Sequence, residues 1–74
     1  MKAKHRLYRN LRSALVAADV DLAELAKIIG VSYCTATFKM NGKATWDIKE
    51  MKAIQEALNR LTGESFTLDY LFTE

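Results

Sequence analysis

The chain of 74 residues has no proline, three glycines, one cysteine and one histidine. Without proline, no helix is forced to kink or stop by a missing backbone N–H. The lone thiol, Cys34, cannot close an internal disulfide, so nothing calls for an oxidising compartment, and the expected location is cytoplasmic. His5 lies 29 residues from Cys34, which leaves neither a metal site of three or four ligands nor a Cys-His nucleophile pair. No P-loop and no GxGxxG occurs. Asp19, Asp21 and Glu24 fall beside a helix start, where capping accounts for them. Catalysis therefore has no constellation, and neither a metal nor a cofactor is expected. No apolar run approaches the roughly 18 residues of a membrane span, and no signal-peptide core follows the basic start.

What the chain does contain points to a compact helical body. Half of the residues are hydrophobic, which argues against disorder. A chain this short hides only about 60% of its unfolded surface and can build one core, so residues 1–74 are read as a single domain. The net charge of +2 is unevenly spread: Lys2, Lys4, Arg6, Arg9 and Arg12 face no acid before Ala18, and no acid occurs from Lys27 through Trp46. Residues 47–74 carry six acids against three bases. The basic end and the acid-free middle suit a polyanion, although charges on α-helix faces are also ordinary solvation.

Periodicity places five helices, near 3–18, 22–29, 32–40, 47–61 and 68–72. Leu7, Leu11 and Leu15, with Ala14 or Ala18, line one face of the first. Leu22, Leu25, Ala26 and Ile29 recur at helical spacing after the cap residue Asp21. Gly30 stands where a helix ends in a left-handed residue. Val31 is a pivot, and Ser32 can cap a new helix to Met40. Two short helices joined by a tight turn containing glycine make a helix-turn-helix over residues 22–40. Asp47 with Glu50 forms a capping box for the fourth helix. Its stripe is Ile48, Met51, Ile54, Leu58 and Leu61, with Lys52–Glu56 and Glu56–Arg60 as pairs outside it. Thr62-Gly63 ends that helix, and Thr67 caps a last short one. The expected core is Leu11, Leu15, Leu25, Ala26, Ile29, Val31, Ala36, Met40, Ile48, Met51, Ile54, Leu58 and Leu71. Trp46 is expected to pack on the following helix rather than face a ligand.

These residues resemble the lambda-repressor-like (Cro-type, XRE) helix-turn-helix family. The resemblance rests on Leu25-Ala26, Gly30-Val31-Ser32, Thr35 and Asn41-Gly42-Lys43, and on the tail from Phe66 to Phe72. It covers roughly residues 7–72. It implies an all-α, five-helix domain that binds operator DNA, usually as a dimer, to control transcription. This chain departs from the family in having Leu22 where glutamine is usual, and in placing Tyr33, Cys34, Thr37 and Phe38 at the base-reading positions.

The residue chemistry of the second motif helix agrees with that role. With Ala36 and Met40 as its buried stripe, Cys34 and Phe38 lie opposite, and Tyr33, Thr35, Thr37 and Lys39 flank them. Tyr33, Cys34, Thr37 and Phe38 are therefore the expected base readers. Being largely apolar, they should favour thymine methyl groups over the bidentate contacts made by Arg or Gln. Ser32, Thr35, Lys39, Asn41 and Lys43, with Arg6 or Arg9, are the expected phosphate contacts. The partner is then double-stranded operator DNA, met by a homodimer. The role is that of a small repressor, similar to phage and prophage regulators in having no second domain. The competing expectation is a protein-interaction module built on the apolar patch Tyr33, Cys34 and Phe38.

Overall fold

Tyr8 adopts a left-handed backbone, with φ 57° and ψ 47°, so a continuous α-helix cannot run through it. In the computed structural model, which describes residues 8–73, the first helix α1 accordingly spans Arg9–Ala17. The expected start near residue 3, with Leu7, lies outside the described residues. The other helices are α2 (Leu22–Ile29), α3 (Tyr33–Met40), α4 (Ile48–Thr62) and α5 (Leu68–Leu71), and no strand occurs among the described residues. None is long and apolar enough to cross a membrane.

The helix ends follow from the residues placed there. Asp21, Ser32, Asp47 and Thr67 each accept a backbone N–H three residues on, satisfying one of the free amides at a helix start. The Asp47–Glu50 capping box is closed in both directions. At the end of α2, Gly30 has φ 74°, and Val31 N–H donates to Ala26 O at 3.0 Å. This is a Schellman turn, and its left-handed residue carries no Cβ penalty. Asp19 takes the same role after α1 at φ 59°, with Val20 N–H donating to Leu15 O at 2.9 Å.

The core gathers Leu11, Leu15, Leu25, Met40, Ile54, Leu58 and Leu71, joined by Tyr8, Ala14 and Val20. Ala26, Ala36 and Ala57 are buried where helices approach closely. Four expected core positions depart from this. Ile48 is 56% exposed, and Met51, Ile29 and Val31 are only half-buried. Leu61, in the same stripe, is 55% exposed. The cause for α4 is length: 15 residues span about 22 Å, whereas α2 covers about 12 Å and α5 about 6 Å, so the ends of the stripe overhang. Ile48 and Met51 line an open cleft of about 410 Å³ with Leu68 and Phe72.

The tail is hooked on rather than merely packed. Asn59 accepts from Phe66 N–H at 2.8 Å, and Gln55 donates to Phe66 O at 2.9 Å. Asn10 donates to Tyr70 O at 2.9 Å from α1. Tyr8, Trp46 and Phe72 meet edge-on at 5.3–6.2 Å between centroids, an arrangement favoured by the ring quadrupoles. Trp46 is thus a packing residue; its buried indole N–H has no hydrogen-bond partner, so its ring contacts hold it. The expected Lys52–Glu56 and Glu56–Arg60 pairs do not close. Among the described residues the ion pairs are Lys27–Glu24 and Lys39–Glu50.

Candidate nucleic-acid interface

The helix-turn-helix places α3 against α2, and no Cα of α3 comes within 8 Å of α1, α4 or α5. Two features let α3 stand out in this way. Ala36, fully buried, allows close approach to α2, and Met40 sends one long side chain into the core. The opposite face is open. Tyr33 is 58% exposed and Phe38 46%, and Cys34 is an exposed free thiol. Thr37 lies between them half-buried, its hydroxyl donating to Tyr33 O at 3.0 Å. The four residues expected to read bases are on one side of one short helix, three of them exposed.

At the N-terminus of α3, Ser32 Oγ accepts from Thr35 N–H at 3.1 Å and donates to Thr35 Oγ1 at 3.0 Å. Both hydroxyls are thus engaged in the cap, at a helix start where backbone amides present a positive end. Beyond the C-terminus, Lys43 is exposed on the loop that follows Gly42, and its N–H donates to Phe38 O at 2.8 Å. Arg9 is exposed on α1, where it lines a shallow cleft with Arg12, Ser13 and Val16. Arg6 and His5 lie outside the described residues.

Two cations at this end of the molecule face inward, and only one of them was expected at a phosphate. Lys39 Nζ pairs with Glu50 Oε1 at 2.9 Å and donates to Thr45 O at 2.6 Å. It lies 5.9 Å from the centre of the Trp46 ring. The two paired side chains are only 12% and 13% exposed. An ammonium with these partners has two of its three donors engaged inside the protein and little exposed surface, so Lys39 is better placed as an internal tie than as a phosphate ligand. Arg12, to which sequence reasoning gave no site role, donates to Met40 O at 3.1 Å and to Asn41 Oδ1 at 3.4 Å. It caps the negative end of α3. Asn41 is exposed, with its side-chain oxygen engaged by that guanidinium. Only the spacing between α1 and the loop after α3 could have revealed Arg12, and that is a tertiary distance.

The helix-turn-helix and the loop after it are free of unpaired acids. Glu50 is neutralised by Lys39, and from Lys27 to Trp46 the chain has none. The α3 face has Lys43 beyond one end and the helix-start amides at the other, and presents rings, a thiol and hydroxyls between them. A family model, the BetR domain, matches residues 3–69. No curated protein and no solved structure gives a significant match.

Proposed function

The chain belongs to the BetR domain family of helix-turn-helix DNA-binding domains, and from that premise we propose that it is a sequence-specific regulator of transcription that inserts α3 into the major groove of an operator. The observation that carries the proposal is the outer face of α3: exposed, free of acids, and flanked by a capped helix start and Lys43. B-DNA admits a helix of this diameter in its major groove, with the N-terminal turns nearest the base edges. Tyr33, Cys34, Thr37 and Phe38 are the proposed base readers. Ser32, Thr35, Asn41, Lys43 and Arg9 are the proposed phosphate contacts, and Arg6 keeps that role from the sequence alone. Lys39 leaves the set.

The finer picture is a small repressor of the lambda-repressor-like kind, of phage or prophage type, that blocks polymerase by occupying its site. One eight-residue helix covers only a few base pairs. A two-fold pair with half-sites about 34 Å apart is the usual route to useful specificity, so a homodimer on DNA is part of the proposal. The C-terminal region, with Tyr70, Phe72 and the end of α4, is the proposed pairing surface; Tyr70 is 43% exposed.

Selection of bound sequences from a random duplex library tests this directly. Enrichment of a two-fold motif with binding that weakens steeply with salt is the expected result. Substituting uracil for thymine removes only the C5-methyl. Wild type should lose about 1 kcal/mol at one or two operator positions, and Phe38→Ala should lose that sensitivity. Enrichment of nothing would overturn the reading. The exposure of Tyr33 and Phe38 favours one rival, a protein-interaction patch. That contact would persist at high salt, where DNA binding would not.

A further inference from the structure

The C-terminal end of α3 is held to the body by side chains alone, the buried Met40 and two charged ones, with no close approach of helix backbones. The helix pivots on α2 at Gly30 and Val31, and α1 and α4 both stand more than 8 Å away, Cα to Cα. Arg12 reaches across from α1 to Met40 O and Asn41 Oδ1. Lys39 reaches from α3 itself to Glu50 in the first turn of α4, and to Thr45 O in the loop between the two helices. Glu50 is already fixed, because its Oε1 accepts Asp47 N–H at 3.1 Å in the capping box. A single carboxylate oxygen thus joins the start of α4 to the end of α3. The ring of Trp46, packed edge-on with Tyr8 and Phe72, lies 5.9 Å from the lysine ammonium.

Resting on the DNA-binding proposal above, we propose that Lys39 and Glu50 are positioning residues that set the pose of α3 and so determine operator selectivity, without contributing to the affinity for DNA as such. Base readout depends on side chains placed to within about 0.5 Å and 10–20°. Phosphate contacts through long lysine and arginine side chains tolerate more, because they carry no sequence information. A helix of about 12 Å whose far end kept Met40 and Arg12 but lost the Lys39–Glu50 tie would still lie on DNA, with more freedom to rotate about its own axis. It would no longer present Thr37 and Phe38 in a constant register.

The proposal makes opposite forecasts from simple charge counting. Glu50→Gln removes an acid, and electrostatics alone would tighten all DNA binding. The amide still accepts Asp47 N–H but no longer pairs with the ammonium. Lys39→Met keeps an unbranched side chain of similar length and removes the charge. The test is titration of wild type, Glu50→Gln, Lys39→Met and the double variant against the duplex selected by wild type and a scrambled duplex. It is run over a salt series, at a temperature where circular dichroism shows each variant folded.

Each single variant should lose about tenfold or more in the ratio of selected to scrambled affinity, the scale of one wrong base pair. The double variant should lose no more than either single one, because both break the same tie. Scrambled-duplex affinity should not fall, and the Lys39→Met salt slope should match wild type. Simple destabilisation would lower both affinities together and leave the ratio unmoved. A ratio within about twofold of wild type in both single variants would overturn the proposal. So would a Lys39→Met slope reduced by about one, the mark of a lost phosphate contact. If wild type itself selects no sequence, the DNA-binding reading fails first, and that result is distinct from either of these.

Discussion

Leu58 and Leu61 stand one turn apart on α4 and belong to the same apolar stripe, yet the structure sets them far apart in energy. Leu58 is fully buried in the cluster with Leu11, Leu25, Ile54 and Leu71. Truncating such a leucine to alanine loses its transfer energy and leaves a cavity, together about 3–5 kcal/mol. Leu61 is 55% exposed, so less than half of a full burial energy of about 1.5–3 kcal/mol is at stake, about 1 kcal/mol or less. For 74 residues the whole folding energy is on the order of 4–11 kcal/mol. Leu58→Ala therefore removes a large fraction of it, whereas Leu61→Ala is a minor change. Urea denaturation followed by circular dichroism at about 15 °C, near the usual stability maximum, reads both. Leu58→Ala should lower the extrapolated stability by at least about 2 kcal/mol more than Leu61→Ala. A difference under about 1 kcal/mol would refute the argument. Should Leu61→Ala prove costly with a midpoint that depends on protein concentration, the overhanging end of α4 is covered by a second copy.

Gly30→Ala should cost about 1–2 kcal/mol, since φ 74° penalises any Cβ. Nothing lies within 4 Å of the added atom, so the cost is conformational, and Gly30→Asn, which tolerates the left-handed region, should cost less in a thermal melt; an equal or larger loss would mean a clash. Asp47→Ala opens the capping box and should lower the melting temperature by roughly 4–8 °C, the equivalent of about 1 kcal/mol. A shift under about 2 °C in a thermal melt would show the cap to be redundant. Lys43→Ala should weaken the selected and scrambled duplexes by similar factors and reduce the salt slope by about one unit. Loss on the selected duplex alone would make Lys43 a base reader.

The helices were legible because their signals are local. Asp21, Ser32, Asp47 and Thr67 each act within three residues, and Gly30 and Gly63 end helices by backbone conformation alone. The core was legible in the middle of each stripe and not at its ends. Whether Ile48 and Leu61 are covered depends on how far α2 and α5 reach along α4, and no periodicity encodes that. Tyr8 and Val20 were missed because they lie just outside α1, at or beside a left-handed residue, rather than on a helical face. At the candidate interface, the exposure of Tyr33, Cys34 and Phe38 followed from the Ala36–Met40 stripe. The inward fate of Lys39 did not, because its partner Glu50 lies eleven residues away across a loop. A positive charge near a motif helix looks the same in sequence whether it faces a phosphate or a carboxylate.

The division of labour on α3 bears on how this surface can change over time. Ala36 and Met40 anchor the helix, Lys39 ties it down, and Ser32 caps its start. None of these tasks falls on Tyr33, Cys34 or Phe38, whose side chains are exposed, and Thr37 adds only a hydroxyl bond within its own helix. Substitution at those four positions leaves the anchors, the tie and the cap of α3 in place. Each should cost about 1 kcal/mol or less, the scale of a half-exposed side chain. Under the proposed function, a descendant could therefore change its target with the fold kept. A gene library randomised at 33, 34, 37 and 38 alone should yield mostly folded proteins. Scaffold and vocabulary are inherited separately here, and drift in one need not drag the other with it.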